Sequence, residues 1–164
     1  MKKEIAATEI KGNLIEMISK EWMLICAKDN ESMNMMTASW GFVGEMWNKD
    51  CVICAVRPTR YTYECLENED YFSLCFIGDN RDAYKICGTE SGRDVNKLEK
   101  TGLSAEFDLA PFVKEAHTVI ICKKLYADNL REEKFIDSSV AKKNYNNDFH
   151  RMYYGEIIKV LVEE

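Results

Sequence analysis

Arg57-Pro58-Thr59-Arg60-Tyr61-Thr62 brings two forked guanidinium donors and two threonine hydroxyls together in one short run. Pro58 cannot continue a strand ladder, and Thr62 is placed to cap a helix over 63–68 through its hydroxyl. A helix start adds free backbone N–H groups and the positive end of a dipole. No acidic residue lies between Arg57 and Tyr63, so the turn is a positive island in a chain of net charge −6. A phosphate suits that combination of forked donors, hydroxyls and helix terminus. The competing reading is two surface arginines with ordinary carboxylate partners.

Other reactive side chains read differently. Cys51-Val52-Ile53-Cys54 matches C-x-x-C, but in a strand residues three apart point to opposite faces. No second cysteine pair or histidine pair stands nearby to complete a tetrahedral metal site. The chain has seven cysteines, an odd number with no secretory signal before them, which disfavours a disulfide framework. Cys26, Cys54, Cys75 and Cys122 sit in apolar runs and read as small buried residues. His117 and His150 are the only histidines, and an isolated histidine reads first as structural.

The elements that must carry these groups are mostly strands. Apolar, β-branched or cysteine-rich runs predict strands at 22–27, 33–40, 50–56, 70–77, 117–127 and 153–162. The run at 70–77 alternates poorly, which predicts burial on both faces. Ile10, Leu14, Met17 and Ile18 share a helical face and predict a helix over about 10–19. Asn80 or Asp79 is placed to cap a helix over 81–87 that ends at Gly88. Ser91 and Asp94 have capping-box spacing before a helix over 93–100 closed by Gly102. Segments 42–49 and 107–115 read as loops, and 128–147 as a polar, mixed stretch. Trp40 and Trp47 read as core residues.

Bulk properties narrow the function. The chain is 164 residues long, 46% hydrophobic and 30% charged, which predicts one globular domain over 1–164. A sequence pI near 5.1 argues against a nucleic-acid partner. The start carries charge but no apolar run of signal-peptide length, and no window approaches a membrane span, so a cytoplasmic protein is expected. The strands arrive in local pairs without a βαβ series or G-x-G-x-x-G, which disfavours a Rossmann cofactor domain. The fold expected is mainly β with helical inserts: an antiparallel barrel, closed or split to hide its edges.

One family fits these pieces in order. Asn34-x-Met36-Thr37-Ala38-Ser39-Trp40-Gly41, a strand, then Arg57-Pro58-x-Arg60-x-Thr62 resembles the flavin reductase-like branch of the FMN-binding split barrels, flavoredoxins included. Ser91-Gly92 followed by Lys97 resembles the family's S-G-x-x-x-x-K element, and His150 to Ile157 its H-x-x-Y-x-G-E-I closing strand. Asn96 and Leu98 depart from the commoner family residues. The resemblance spans about 14–162. It implies a six-stranded antiparallel Greek-key split barrel that works as a homodimer. It implies that Asn34, Met36, Thr37, Ala38, Ser39 and Trp40 line the flavin ring, where short side chains let backbone approach. Arg57, Arg60 and Thr62 would hold the phosphate, Lys97 the phosphate or ring, and His150 would lie near the flavin of its own or the other subunit.

The function implied is an FMN-binding flavoprotein passing hydride or electrons from NAD(P)H to flavin or an acceptor, with no protein nucleophile. The cofactor expected is FMN rather than FAD. The alternative is a flavoredoxin-type electron carrier with a ferredoxin-like protein partner. A barrel that binds no flavin is the third reading, which the basic turn disfavours.

Overall fold

The apolar run after Trp22 lacks alternation because both of its faces are covered. Met23, Ile25 and Ala27 enter one buried cluster, while Leu24 and Cys26 enter another on the opposite side. The run at 70–77 behaves the same way: Phe72, Leu74 and Phe76 face the first cluster and Cys75 the second. Period-two geometry thus builds two cores from one sheet.

The computed structural model describes residues 1–164. Its strands are β1 (Lys2–Ile5), β2 (Met23–Asp29), β3 (Ser32–Ala38), β4 (Gly41–Met46), β5 (Lys49–Val56), β6 (Tyr71–Phe76), β7 (Ala105–Phe107), β8 (Pro111–Val113), β9 (Thr118–Asn129) and β10 (Arg151–Glu163). Its helices are α1 (Leu14–Glu16), α2 (Tyr61–Asn68), α3 (Arg81–Thr89), α4 (Lys97–Thr101) and α5 (Ser138–Asn144). The main sheet is antiparallel, in the order β3-β2-β6-β9-β10-β5-β4. β1 pairs with the far end of β10, beyond the stretch that β5 occupies. β2, β3, β5, β6, β9 and β10 all send side chains into the first cluster. The sheet therefore wraps around one core, and its open seam lies between β3 and β4.

The expected antiparallel barrel is present, with more strands than the six expected. β4 replaces the loop at 42–49. Trp47 and Asn48 both take positive φ, 59° and 57°, which is the two-residue turn that closes a hairpin of this hand. β1 and the β7–β8 hairpin are the other additions; both are too short to carry a periodic signal.

Helix boundaries move for local reasons. Gly12 has φ 106° and Asn13 Oδ1 accepts from the amides of Ile15 and Glu16, so the helix predicted over 10–19 begins at Leu14 and widens into a π turn at Met17–Glu21. Asn80 caps α3 as expected, but Gly88 lies inside that helix rather than ending it. A Cβ at Gly88 would stand 3.4 Å from Thr37 Cβ, which places α3 directly over β3 at this point. Ser91–Asp94 forms a turn, and α4 starts later, capped by Asn96 Oδ1 on the amide of Glu99 and closed by Gly102 at φ 70°.

All seven cysteines are buried and unpaired. Cys54 belongs to the first cluster, and burial lifts its thiol to about 12. Cys51 lies apart from it, with Sγ on the carbonyl of Met46.

Candidate functional site

Two adjoining cavities open at the end of the seam, and Arg60 lines both. The first, about 210 Å³, is lined by Met36, Thr37, Ala38, Ser39, Trp40, Ala55, Arg57, Arg60 and His150. The second, about 130 Å³, is lined by Thr59, Arg60, Tyr61, Thr62, Thr89, Glu90, Ser91, Gly92 and Lys97.

The ends of β3 and β5 make the floor of the first cavity. Thr37 Oγ1 donates to the carbonyl of Tyr84 at 2.6 Å, tying β3 to α3. Trp40 is not a core residue: it is 46% exposed, with its ring 5.2 Å from the His150 imidazole. Trp47 is likewise exposed, 6.0 Å from the Tyr154 ring. Both tryptophans lie beyond the well-paired middle of the sheet, where hydrophobicity alone says little about burial. His150 is buried, and its Nδ1 lies 2.9 Å from the Tyr145 hydroxyl. Burial, helped by the neighbouring Arg57, lowers its pKa to about 4, so the ring is neutral at pH 7.

The second cavity is organised by two cations, the buried Lys97 and the half-buried Arg60. Arg60 donates to the carbonyls of Gly88 at 2.7 Å and Cys87 at 3.0 Å. Lys97 Nζ donates to the carbonyls of Met35 at 2.8 Å and Cys87 at 3.1 Å. Both groups thus sit at the C-terminal, negative end of α3. Neither has a carboxylate at ion-pair distance. Burial pushes both pKa values down. A lysine has three donors and an arginine five, so each keeps N–H groups to offer. Glu90, the one acid on the rim, is held by Lys100 at 2.6 Å.

α2 begins at this cavity. Arg60 stands in the capping position with no side-chain cap, which leaves the first amides of the helix free for another acceptor. Thr62 does not cap the helix. It is buried one residue inside, and its hydroxyl accepts from Asn34 Nδ2 at 2.7 Å. Asn34 lines neither cavity; it holds Thr62 from behind. A Cβ on Gly92 would stand 2.1 Å from Asn34 Oδ1 and 2.8 Å from Tyr61 Cδ1, so only glycine allows this loop to close over the pair.

Arg57 leaves the positive island. It lines the first cavity, pairs with Asp148, donates to the carbonyl of Asn144 at 3.0 Å, and lies 5.1 Å over the Tyr145 ring. Its partners come from about 90 residues downstream, so the local absence of acids misreads it. The nine other expected site residues that line a cavity, Met36 to Trp40, Arg60, Thr62, Lys97 and His150, are brought together around Arg60. Tyr145 and Asp148 carried no sequence signal. Thr59, Ser91 and Gly92 lay inside recognised motifs, but were not singled out as site residues.

The comparisons bear on this geometry. No curated protein matches the sequence. Among solved structures, flavoredoxin from Methanosarcina acetivorans aligns with a TM-score of 0.69 at 22% identity, over 88% of this chain and 69% of that one. The FMN-binding domain of a flavin reductases-like enzyme from Shewanella baltica aligns with a TM-score of 0.70 at 15% identity, over 99% and 77%. An FMN-binding protein from Thermus thermophilus aligns with a TM-score of 0.67 at 16% identity, over 99% and 82%. The fold is therefore the split barrel of the flavin reductase-like proteins. The model of the flavin reductase like domain matches residues 16–164, nearly the whole chain, and the protein belongs to that family.

Proposed function

We propose that the chain binds FMN and works as a flavin-dependent oxidoreductase of the flavin reductase type, taking reducing equivalents from NAD(P)H. The observation that carries the reading is the pair Arg60 and Lys97: one half-buried and one buried cation without carboxylate partners, beside an uncapped helix start. Leaving two such charges without a counter-ion is costly, and an anionic ligand removes that cost. A terminal phosphate monoester carries a charge of about −1.5 to −2 at pH 7, which balances the pair. FMN ends in such a group, and FAD does not.

The residues fit the rest of that ligand. Arg60, Lys97, Thr59, Ser91 and the first amides of α2 supply donors for the phosphate. Gly92 keeps the approach open. Thr37, Ala38 and Ser39 leave the backbone at the end of β3 and just beyond it open to a flat ring, and Trp40 offers an aromatic face beside it. The flavin supplies the hydride and electron chemistry when bound. The chain's part is to hold the phosphate, orient the ring and keep a neutral imidazole at its side.

FMN binding is tested by visible absorption after gel filtration. Retained flavin bands support the reading; their absence, with no thermal stabilisation by FMN, overturns it. Arg60→Ala removes hydrogen bonds to a charged group, each contributing ~1.5–3 kcal/mol, and weakens FMN binding roughly 10–100-fold. Steady oxidation of NADH or NADPH then separates an enzyme from a flavoredoxin-type carrier, which keeps its FMN but turns nicotinamide over slowly.

The working form proposed is a homodimer. Phe42 lies opposite Ile53, Ile53 opposite Tyr154, and Tyr154 opposite Tyr126, in one row across β4, β5, β10 and β9. Phe42 is 64% exposed and Tyr126 48%. Such a row on an outer sheet face favours burial against a second copy.

A further inference from the structure

Tyr145 belongs to no motif, yet it touches both charged and neutral parts of the ring-side cavity. It stacks on Phe149 at 4.7 Å between centroids, lies under Arg57, and contacts the His150 ring edge-on at 5.4 Å. Arg57 in turn grips Asn144 and Asp148 on either side of it. The 144–148 segment is thus clamped to the end of β5, and the Tyr145 hydroxyl is fixed against His150 Nδ1.

The direction of that hydrogen bond follows from the available partners. His150 Nδ1 is the only polar group within reach of the Tyr145 hydroxyl. Were Nδ1 the donor, the phenolic proton would have no acceptor in a half-buried setting. With the phenol donating, Nδ1 is the acceptor and the ring proton resides on Nε2. Nε2 has no partner within the chain, and no sealed-off side-chain nitrogen or oxygen lacks one, so Nε2 opens onto the cavity that His150 lines. The charged groups facing the ring are Arg57 from the end of β5 and Asp148 from the clamped segment. The link after β3 presents the neutral Ser39 and Trp40, and Arg151 on β10 turns away to Glu67 at 2.8 Å.

We propose that Tyr145, held by Arg57, is a positioning residue whose hydroxyl fixes His150 in the tautomer that offers Nε2–H to the ligand of the ring-side cavity. The inference rests on the FMN reading for the identity of that ligand. His150 then serves as a neutral hydrogen-bond donor beside the flavin rather than as a cation or a proton acceptor. Arg57 acts through this clamp rather than on the phosphate.

The test reads the imidazole directly. Long-range proton–nitrogen correlation of the 15N-labelled, flavin-free protein reports which ring nitrogen carries hydrogen, with His150 assigned by its loss in His150→Gln. The expected result at pH 7 is the Nε2–H form in the native protein. In Tyr145→Phe, which keeps the ring stack, the tautomer ratio shifts roughly 5–10-fold toward a mixture, the size expected for one lost hydrogen bond. Added FMN moves the Nε2 resonance in the native protein. A native Nδ1–H tautomer, or a ratio unchanged in a folded Tyr145→Phe, overturns the proposal. FMN retained through gel filtration with Nε2 unmoved overturns it too and leaves the FMN reading standing. Failure to retain FMN removes the ligand, and both readings fall together.

Discussion

Three cations named by sequence motifs have two different fates, and the difference is set by their neighbours. Arg57 spends its charge on Asp148, whereas Arg60 and Lys97 are satisfied only by backbone carbonyls. Lys97→Met therefore weakens FMN binding roughly 10–100-fold, while Arg57→Ala changes FMN affinity less and the His150 spectrum more; parallel flavin titrations and nitrogen spectra check the contrast. His150 makes a second prediction. Its folded pKa lies below the usual value near 6.5, so the unfolded chain binds the extra proton first as pH falls. The stability that its burial contributes is fully present above about pH 6.5 and is lost progressively down to about pH 4. His150→Gln removes that slope, amounting to at most ~3 kcal/mol, from denaturant midpoints measured across this window.

At the scale of elements, the turns hold the least tolerant positions. Asn48 occupies the left-handed region at φ 57° in the β4–β5 hairpin. Asn48→Val costs ~1–2 kcal/mol by thermal melt, whereas Asn48→Gly costs less than ~0.5 kcal/mol, because only the former pushes a branched Cβ into that region. Gly92 is constrained by contact instead: its absent Cβ leaves space that Asn34 and Tyr61 occupy. Gly92→Ala forces the 91–94 turn outward, lowers stability by ~1–3 kcal/mol and weakens FMN binding in the same titration. The pair Asn34–Thr62 shows how an element can mislead. A threonine next to a helix start reads as a cap, but this one is turned inward, where a buried asparagine from β3 needs an acceptor.

At the scale of the whole molecule, a strip of aromatic residues stays outside both cores. Phe42→Lys on that strip is expected to shift the sedimentation coefficient from dimer to monomer without lowering the melting temperature of the isolated chain. A native monomer at micromolar concentration removes the homodimer proposal, and an unchanged dimer in the variant removes this strip as its interface. No helix of the protein is long and apolar enough to cross a membrane. The two-sided burial of β2 and β6 explains why so little of the sheet shows clean alternation, and each of these strands carries one cysteine, Cys26 and Cys75. A small thiol fills space on either face without needing a hydrogen-bond partner.

Much of this was legible in the residues. Apolar runs bounded by turn residues located β2, β3, β5, β6, β9 and β10 and their antiparallel character, because strand formation and local pairing are governed by nearby side chains. The order of the motifs around Trp40, Arg60, Lys97 and His150 identified the family and the residues that gather at its cavities. β4 was not legible, since its glycines and exposed aromatics only become a strand when β5 pairs with them and Trp47-Asn48 reverses the chain. Neither was the fate of Arg57, nor the part of Tyr145. Arg57 meets Asp148 and Asn144 from about 90 residues away only once the barrel has closed, and the Tyr145–His150 bond, though local, takes its direction from which other partners the closed fold leaves within reach. Sequence fixes which side chains are available; their partners, burial and proton positions are decided by the closed structure.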